Sequence, residues 1–257
     1  MRNEKFYQWQ MVELNKEFNL IESPFPELLA GEVLVKVAGC GVCHTDISFW
    51  HHGVQTKHPL PLTLGHEISG LVVDGDVAWL GKNVIIPAVL PCGECGLCKK
   101  GRSNICRNQL MPGNDFHGGF ASHIKVPAKF LCHVPDSILK DYPLEQLSVI
   151  ADAISTPYQV VKKSELEAGD LAIVIGVGGV GIYGALIAKV FGAKVIALDL
   201  NDEKLATAKA NGIDATLNIG GLDTKSIKEK VKELAKEIGA PKTGWKIFEI
   251  SGTKAGQ

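Results

Sequence analysis

The stretch 171-LAIVIGVGGVGIYGALIA-188 limits what this chain can fold into more than any other. Its length suits a membrane-spanning helix, which takes about 20 apolar residues. But it holds five glycines, and its two halves carry different periods. Residues 171–175 form a short apolar run closed by glycine. Residues 179–191 continue at helical spacing. The reading that satisfies both halves is strand, tight turn and helix, which builds a parallel sheet rather than a membrane span.

The residues beyond it repeat the alternation. Strands are expected at 194–199, 214–219 and 246–250, with helices at 202–211 and 223–238. Such alternation argues for right-handed crossovers in a doubly wound α/β sheet. Asn201 or Asp202 is a cap for the second helix, and Gly212 and Gly239 follow the second and third. The charged face of helix 223–238 is the solvated side of such a layer. A complete dinucleotide domain has about six strands. This chain reaches its fourth just before 251-SGTKAGQ-257, so a C-terminal truncation is expected.

Within this frame 176-GVGGVG-181 matches G-x-G-x-x-G. Gly176 permits the tight turn, Gly178 lets backbone approach a pyrophosphate, and Gly181 lets helix and strand pack closely. Gly179 and Val180 open the helix, whose free N–H groups face the phosphates. Asp199 ends the second strand, about 20 residues on, where a carboxylate accepts from a ribose hydroxyl and repels a 2′-phosphate. NAD is therefore expected rather than NADP, with Lys204 as a further cofactor-binding candidate. The competing reading is a plain βα turn, with Asp199 only starting the next loop.

The first half reads differently. Short β segments at 31–40, 68–73, 83–89 and 120–127 are separated by Gly and Pro, the pattern of a barrel or sandwich. Net charge is −1, which argues against nucleic acid or an anionic membrane as partner. The N-terminal MRNEKFYQWQ is polar and mixed in charge, with no secretory signal visible. Seven cysteines, an odd number with four clustered, fit metal binding in a reducing cytoplasm better than disulfides.

That cluster is 92-CGECGLCKKGRSNIC-106. Thiolates so spaced wrap one tetrahedral Zn²⁺ and leave no position for substrate, which makes the site structural. An iron–sulfur cluster competes, as does a nucleic-acid-binding zinc ribbon. A second set of soft ligands is scattered over 40-CGVCHTD-46 and 65-GHE-67. From these residues alone, Cys40 and Cys43 could form another knuckle and His66 could be a core histidine. In 149-VIADAISTPYQV-160, Asp152 sits among apolar neighbours, and a buried carboxylate is normally paired or metal-bound.

GVCHTD, GHE, the four-cysteine segment and GVGGVG, in that order, resemble the zinc-dependent medium-chain alcohol dehydrogenases along nearly the whole chain. The resemblance implies a GroES-like catalytic domain over 1–155 and a Rossmann domain over 156–257. It implies two zinc ions per chain, one structural at Cys92, Cys95, Cys98 and Cys106, and one catalytic. Cys43 and His66 match catalytic ligands. Alignment through Thr156 and Tyr158 puts Asp152 at the third ligand position, where many members have cysteine; a salt-bridged or helix-capping Asp152 is the alternative. Thr45 matches the hydroxyl that takes the substrate proton, His44 a residue beside the cofactor pyrophosphate, and Glu67 and Asp46 groups that tune the metal. Ser48 stands where several members carry a relay histidine, so the proton path runs through Ser48, water, or a neighbour such as His51 or His52. The implied substrate is a small molecule, an alcohol carried on a CoA thioester, oxidised by a homo-oligomer (dimer or tetramer). A dehydrogenase of free secondary alcohols or polyols, and an inactive zinc-stabilised binding protein, are the alternatives. Phe49 and Trp50 fit either an apolar substrate moiety or simple packing. Cys40 and Cys132 carry no assigned chemistry.

Overall fold

The computed structural model describes residues 5–253; the termini, including the last four residues of the 251–257 stretch, lie outside the described residues. The chain divides into two compact units, Met1–Asp152 and Ala153–Gln257.

In the first unit, β1 (Phe6–Gln10) and β2 (Asn19–Ser23) pair as an antiparallel ribbon. Next come β3 (Glu32–Gly41), the short helix α1 (His44–Trp50), β4 (Glu67–Gly75) and β5 (Asn83–Ile86). After these follow α2 (Gly96–Lys99), β6 (His123–Pro127), β7 (Cys132–His133) and α3 (Asp136–Leu139). Five of the strands form one sheet in the order β6-β3-β4-β5-β7, every neighbour antiparallel. Its core is β-branched: Val33, Val35, Ile68, Val72, Val84, Ile86, Ile124 and Val126 are all buried together. Each such side chain contributes roughly 1.5–3 kcal/mol by leaving water.

The strand expected over 83–89 stops at Ile86, because Pro87 has no N–H for the ladder. The one expected over 120–127 starts at His123.

Two features of this unit position chemistry. First, the β3–β4 register sets Gly41 opposite Glu67 and Cys40 opposite Ile68. Cys43 lies just past the end of one strand and His66 just before the start of its partner, so the pairing brings them together. Second, a 3-10 segment, Leu144–Ala151, packs on the same sheet. Leu147 and Ala151 join Ile85 and Val134 in a buried cluster. The Ser69 hydroxyl donates to the Leu144 carbonyl at 2.7 Å. A Cβ at residue 39 would meet the Glu145 carbonyl oxygen at 2.3 Å, so glycine is what allows the close approach. Asp152 caps this segment.

The second unit opens with α4 (Ser155–Lys163) and then resolves the 171–188 stretch into β8 (Leu171–Ile175), a glycine turn and α5 (Gly179–Val190). No helix among the described residues is long and apolar enough to cross a membrane. The unit continues with β9 (Lys194–Asp199), α6 (Asp202–Ala210), β10 (Ala215–Asn218), α7 (Thr224–Glu237) and β11 (Lys246–Glu249). The sheet is wholly parallel, in the order β10-β9-β8-β11. Its order reverses between β8 and β11, as in a doubly wound sheet. Asn201 caps α6 by accepting from the Lys204 N–H at 3.0 Å, and Asp223 caps α7 by accepting from Ser226 at 2.7 Å.

Candidate functional site

In the first unit Cys43, His66, Glu67 and Asp152 converge, each offering a ligand atom within 4.8 Å of the others. His66 is 1 % exposed, and neither ring nitrogen has a hydrogen-bond partner. Its Nε2 is 3.6 Å from Asp152 Oδ2 and its Nδ1 is 3.6 Å from Asp46 Oδ1, beyond hydrogen-bonding range. Leaving such a group unsatisfied costs about 1–3 kcal/mol. Burial opposes charge on His66, but Asp152, Asp46 and Cys43 outweigh it and push the imidazole up to about 11. His66 in turn pulls the Cys43 thiol below its ordinary value, against burial. The field in this cluster favours a cation. One thiol, one imidazole and two carboxylates around an orphaned histidine are a donor set that fits zinc.

The cluster is held from outside. Asp46 is buried, and its Oδ2 accepts from the Cys43 N–H at 2.9 Å while Oδ1 accepts from the Gly65 N–H at 3.0 Å. One carboxylate thus ties together the backbones that carry Cys43 and His66. A Cβ at residue 41 would come within 2.1 Å of Glu67 Oε2, so glycine there makes room for that carboxylate beside the other donors. Asp152 is not fully buried as its apolar neighbours suggested: its side chain is 27 % exposed. Thr45 Oγ1 lies 3.7 Å from Cys43 Sγ.

The four-cysteine lobe is a second, different cluster. Its Sγ–Sγ distances are 3.5 Å for Cys92–Cys106, 3.6 Å for Cys95–Cys98, 3.8 Å for Cys95–Cys106 and 3.9 Å for Cys92–Cys98. A tetrahedral metal with bonds of about 2.3 Å to sulfur demands edges of roughly 3.8 Å. These are not disulfides, and a multi-iron cluster would spread its thiolates over separate irons. The lobe fits one zinc ion. Backbone N–H groups of Glu94 and Cys95 pull the Cys92 thiol down to about 6. Neither α2 nor the 3-10 turn Ser103–Ile105 buries a residue.

In the second unit the glycine turn has distinct positions. Gly176 has φ +86°, and a Cβ on Gly181 would sit 1.8 Å from the Gly176 carbonyl oxygen. A Cβ on Gly178 or Gly179 would meet nothing within 4 Å, so the backbone there is open to an approaching group. Burial raises the Asp199 carboxyl, but N–H donors from Val177, Asn201 and Leu200 hold it below the usual carboxylate range. Its Oδ2 accepts from Val177 at 2.8 Å, locking the end of β9 to the turn. Gly176, Gly178, Asp199 and Lys204 share a cavity of about 370 Å³ with Ser251 and Thr253. Those last two were not foreseen. The signal was available: crevices in such sheets open where the strand order reverses, and the chain leaving β11 flanks that point.

Residues 29–136 match the family model of the alcohol dehydrogenase GroES-like domain, and residues 179–255 that of the zinc-binding dehydrogenases. An uncharacterized zinc-type alcohol dehydrogenase-like protein of Haemophilus influenzae is 30 % identical over 93 % of this chain and 68 % of its own length. This chain belongs to the zinc-dependent medium-chain dehydrogenases. An alcohol dehydrogenase of Geobacillus stearothermophilus is 36 % identical over 80 % of the chain, which spans 61 % of that relative. Among solved structures, acetophenone reductase from Geotrichum candidum in complex with NAD superposes with a TM-score of 0.78 at 30 % identity, covering 87 % of this chain and 66 % of its own.

The Ser48 hydroxyl donates to the His44 carbonyl one turn back, at 3.0 Å. The neighbouring imidazoles form an exposed string, with His52 between His44 and His51 at ring-centroid distances of 6.0 and 5.0 Å, and His51 Nδ1 against Asn15 Oδ1. Phe49 and Trp50 are packing residues. Phe49 is buried with Met11, Leu62 and Leu64, and Trp50 packs on that cluster while donating its ring N–H to the Lys16 carbonyl.

Proposed function

We propose that the chain carries the catalytic domain (1–155) and the coenzyme domain (156–257) of an NAD-dependent zinc alcohol dehydrogenase. The observation that carries this reading is the convergence of Cys43 and Asp152 on the buried His66, whose ring nitrogens have no hydrogen-bond partner. Cys43, His66 and Asp152 would hold the catalytic zinc, and the four cysteines the structural one. When bound, the catalytic zinc supplies Lewis acidity, which lowers the pKa of a bound oxygen acid (for water, from about 16 to about 7). NAD supplies the hydride acceptor.

The chain's own groups do the rest. Asp46 fixes the spacing of the Cys43 and His66 backbones. Thr45 would accept the proton of the substrate hydroxyl while handing its own on to water. The open backbone at Gly178 and Gly179, and the helix N-terminus of α5 that follows, receive pyrophosphate. Asp199, its carboxylate held ionised by three N–H donors, accepts from the adenosine ribose and disfavours a 2′-phosphate. The NAD complex of the acetophenone reductase supports the same choice.

For the substrate, residues 47–70 together with Asp152 most resemble 6-hydroxycyclohex-1-ene-1-carbonyl-CoA dehydrogenase, which oxidises a ring alcohol to the 6-oxo thioester in anaerobic benzoyl-CoA degradation. The second reading, a free secondary alcohol, is favoured by the likeness to acetophenone reductase. Rates with the CoA ester and with the free alcohol separate them: no gain from the CoA portion rejects the thioester. The function itself is tested by metal analysis. Wild type is expected to hold about two zinc atoms per chain and Asp152→Ala about one, with hydride transfer lost. Unchanged zinc content in Asp152→Ala removes the proposed coordination.

A further inference from the structure

Close to His66 in sequence, the fully buried Thr63 fixes two side chains that the proposed function does not use. Its hydroxyl donates to Gln8 Oε1 at 3.2 Å, and its backbone N–H donates to His117 Nδ1 at 3.1 Å. Thr63 is itself anchored, because its carbonyl accepts from the Gly118 N–H at 2.7 Å. Burial and the neighbouring His58 hold the His117 imidazole below its ordinary pKa. The ring is therefore uncharged at neutral pH and, with Nδ1 accepting, carries its proton on Nε2. Each side chain has its acceptor occupied and a donor left over: the Gln8 amide nitrogen and His117 Nε2. Among the described residues neither donor meets an acceptor.

Gln8 is only 6 % exposed, and buried polar groups are normally paired because leaving them unpaired is costly. Gln8 and His117 line one cavity of about 200 Å³, walled by Phe6, Pro26, Phe116 and Ile124. That volume is below the range of about 300–1,000 Å³ that holds drug-sized ligands, so the occupant is small, about one ring with a head group. Two fixed N–H donors call for oxygen acceptors on that head group. No carboxylate among the described residues lines the cavity, whereas Lys125 does, with its Nζ 3.4 Å from Glu32 Oε2.

We propose that this cavity is a second ligand site, which takes a small cyclic monocarboxylate with its carboxylate on Gln8 and His117 and its ring against Phe6 and Phe116. It is separate from the mixed thiolate, imidazole and carboxylate centre, since none of its lining residues is a convergent donor there.

The test uses the whole zinc-loaded chain, with para-fluorobenzoate as the probe and fluorine NMR as the readout. Saturable binding at one site is expected, with a shift of the His117 ring resonances. The neutral para-fluorobenzamide should bind about tenfold more weakly, because an ionised acceptor makes the stronger hydrogen bond. That comparison needs no variant. Gln8→Leu should weaken binding of the acid about tenfold or more, the equivalent of one hydrogen bond to a charged group. A carboxylate can also bind a metal that has an open position, so Cys43→Ser, which removes a donor of the mixed centre, is the control. It should bind the acid as tightly as wild type does. Absence of saturable binding, equal binding of acid and amide, undiminished binding by folded Gln8→Leu, or binding lost in Cys43→Ser overturns the proposal. Each of these leaves the dehydrogenase reading standing.

Discussion

The lobe and the mixed centre solve one problem, gathering metal donors, in opposite ways. In the lobe, four donors lie within one short segment, 92–106, whose α2 helix and 3-10 turn bury no residue. In the mixed centre, the donors come from three distant segments, and the surrounding sheet supplies the order. Where donors are local, metal makes the fold; where they are distant, the fold makes the metal site. The difference predicts what each cluster tolerates.

The largest effect should follow Cys106→Ser. Cys106 is the buried thiol of the lobe. Structural zinc contributes about 10 kcal/mol or more in small zinc-folded peptides. Loss of one zinc and rapid proteolysis within 92–106 are expected, with the second zinc retained. A lobe that stays protected without metal breaks the comparison. Next comes Asp46→Ala, which removes the acceptor of two N–H groups. A loss of about 2–6 kcal/mol in denaturant unfolding is expected, since each of the two orphaned donors costs about 1–3. Metal should be lost from the mixed centre only.

Gly41→Ala should be milder. The added Cβ meets the far end of Glu67, a side chain that can swing away. Stability should fall by only about 1–2 kcal/mol. Metal affinity at the mixed centre should fall about 10–100-fold, the usual consequence of disturbing groups around a metal. Affinity unchanged within error would mean that Glu67 plays no part there.

The same contrast explains what could be read from sequence. The lobe was legible because its spacing is its geometry. The doubly wound unit was legible because period and glycine placement are local signals. Cys43 and His66 became a pair only through resemblance, since their proximity depends on the β3–β4 register. Glu67 was placed near the metal by the same resemblance; what was not legible is why it fits there, which depends on the absent Cβ of Gly41, directly across the ladder. Strand β1 escaped for another reason. Gln8 and Gln10 face inward and are buried, while Tyr7 and Trp9 are exposed, the reverse of the usual alternation. The buried Gln8 accepts from the Thr63 hydroxyl, which satisfies a polar core position that hydropathy alone would place outside.

The smallest expected effect tests whether sheet packing reaches the mixed centre. Ser69 is fully buried on β4, and its hydroxyl is the donor to Leu144 at the start of the segment that ends in Asp152. Ser69→Ala removes one hydrogen bond and adds no bulk, so about 1 kcal/mol of stability should go. If the fold builds this centre, loosening that segment should also raise the rate at which a chelator extracts its metal, although Ser69 is not among the convergent donors. Zinc in the lobe should leave at its wild-type rate. Equal acceleration at both clusters would mean that the mixed centre owes no more to the sheet than the lobe does.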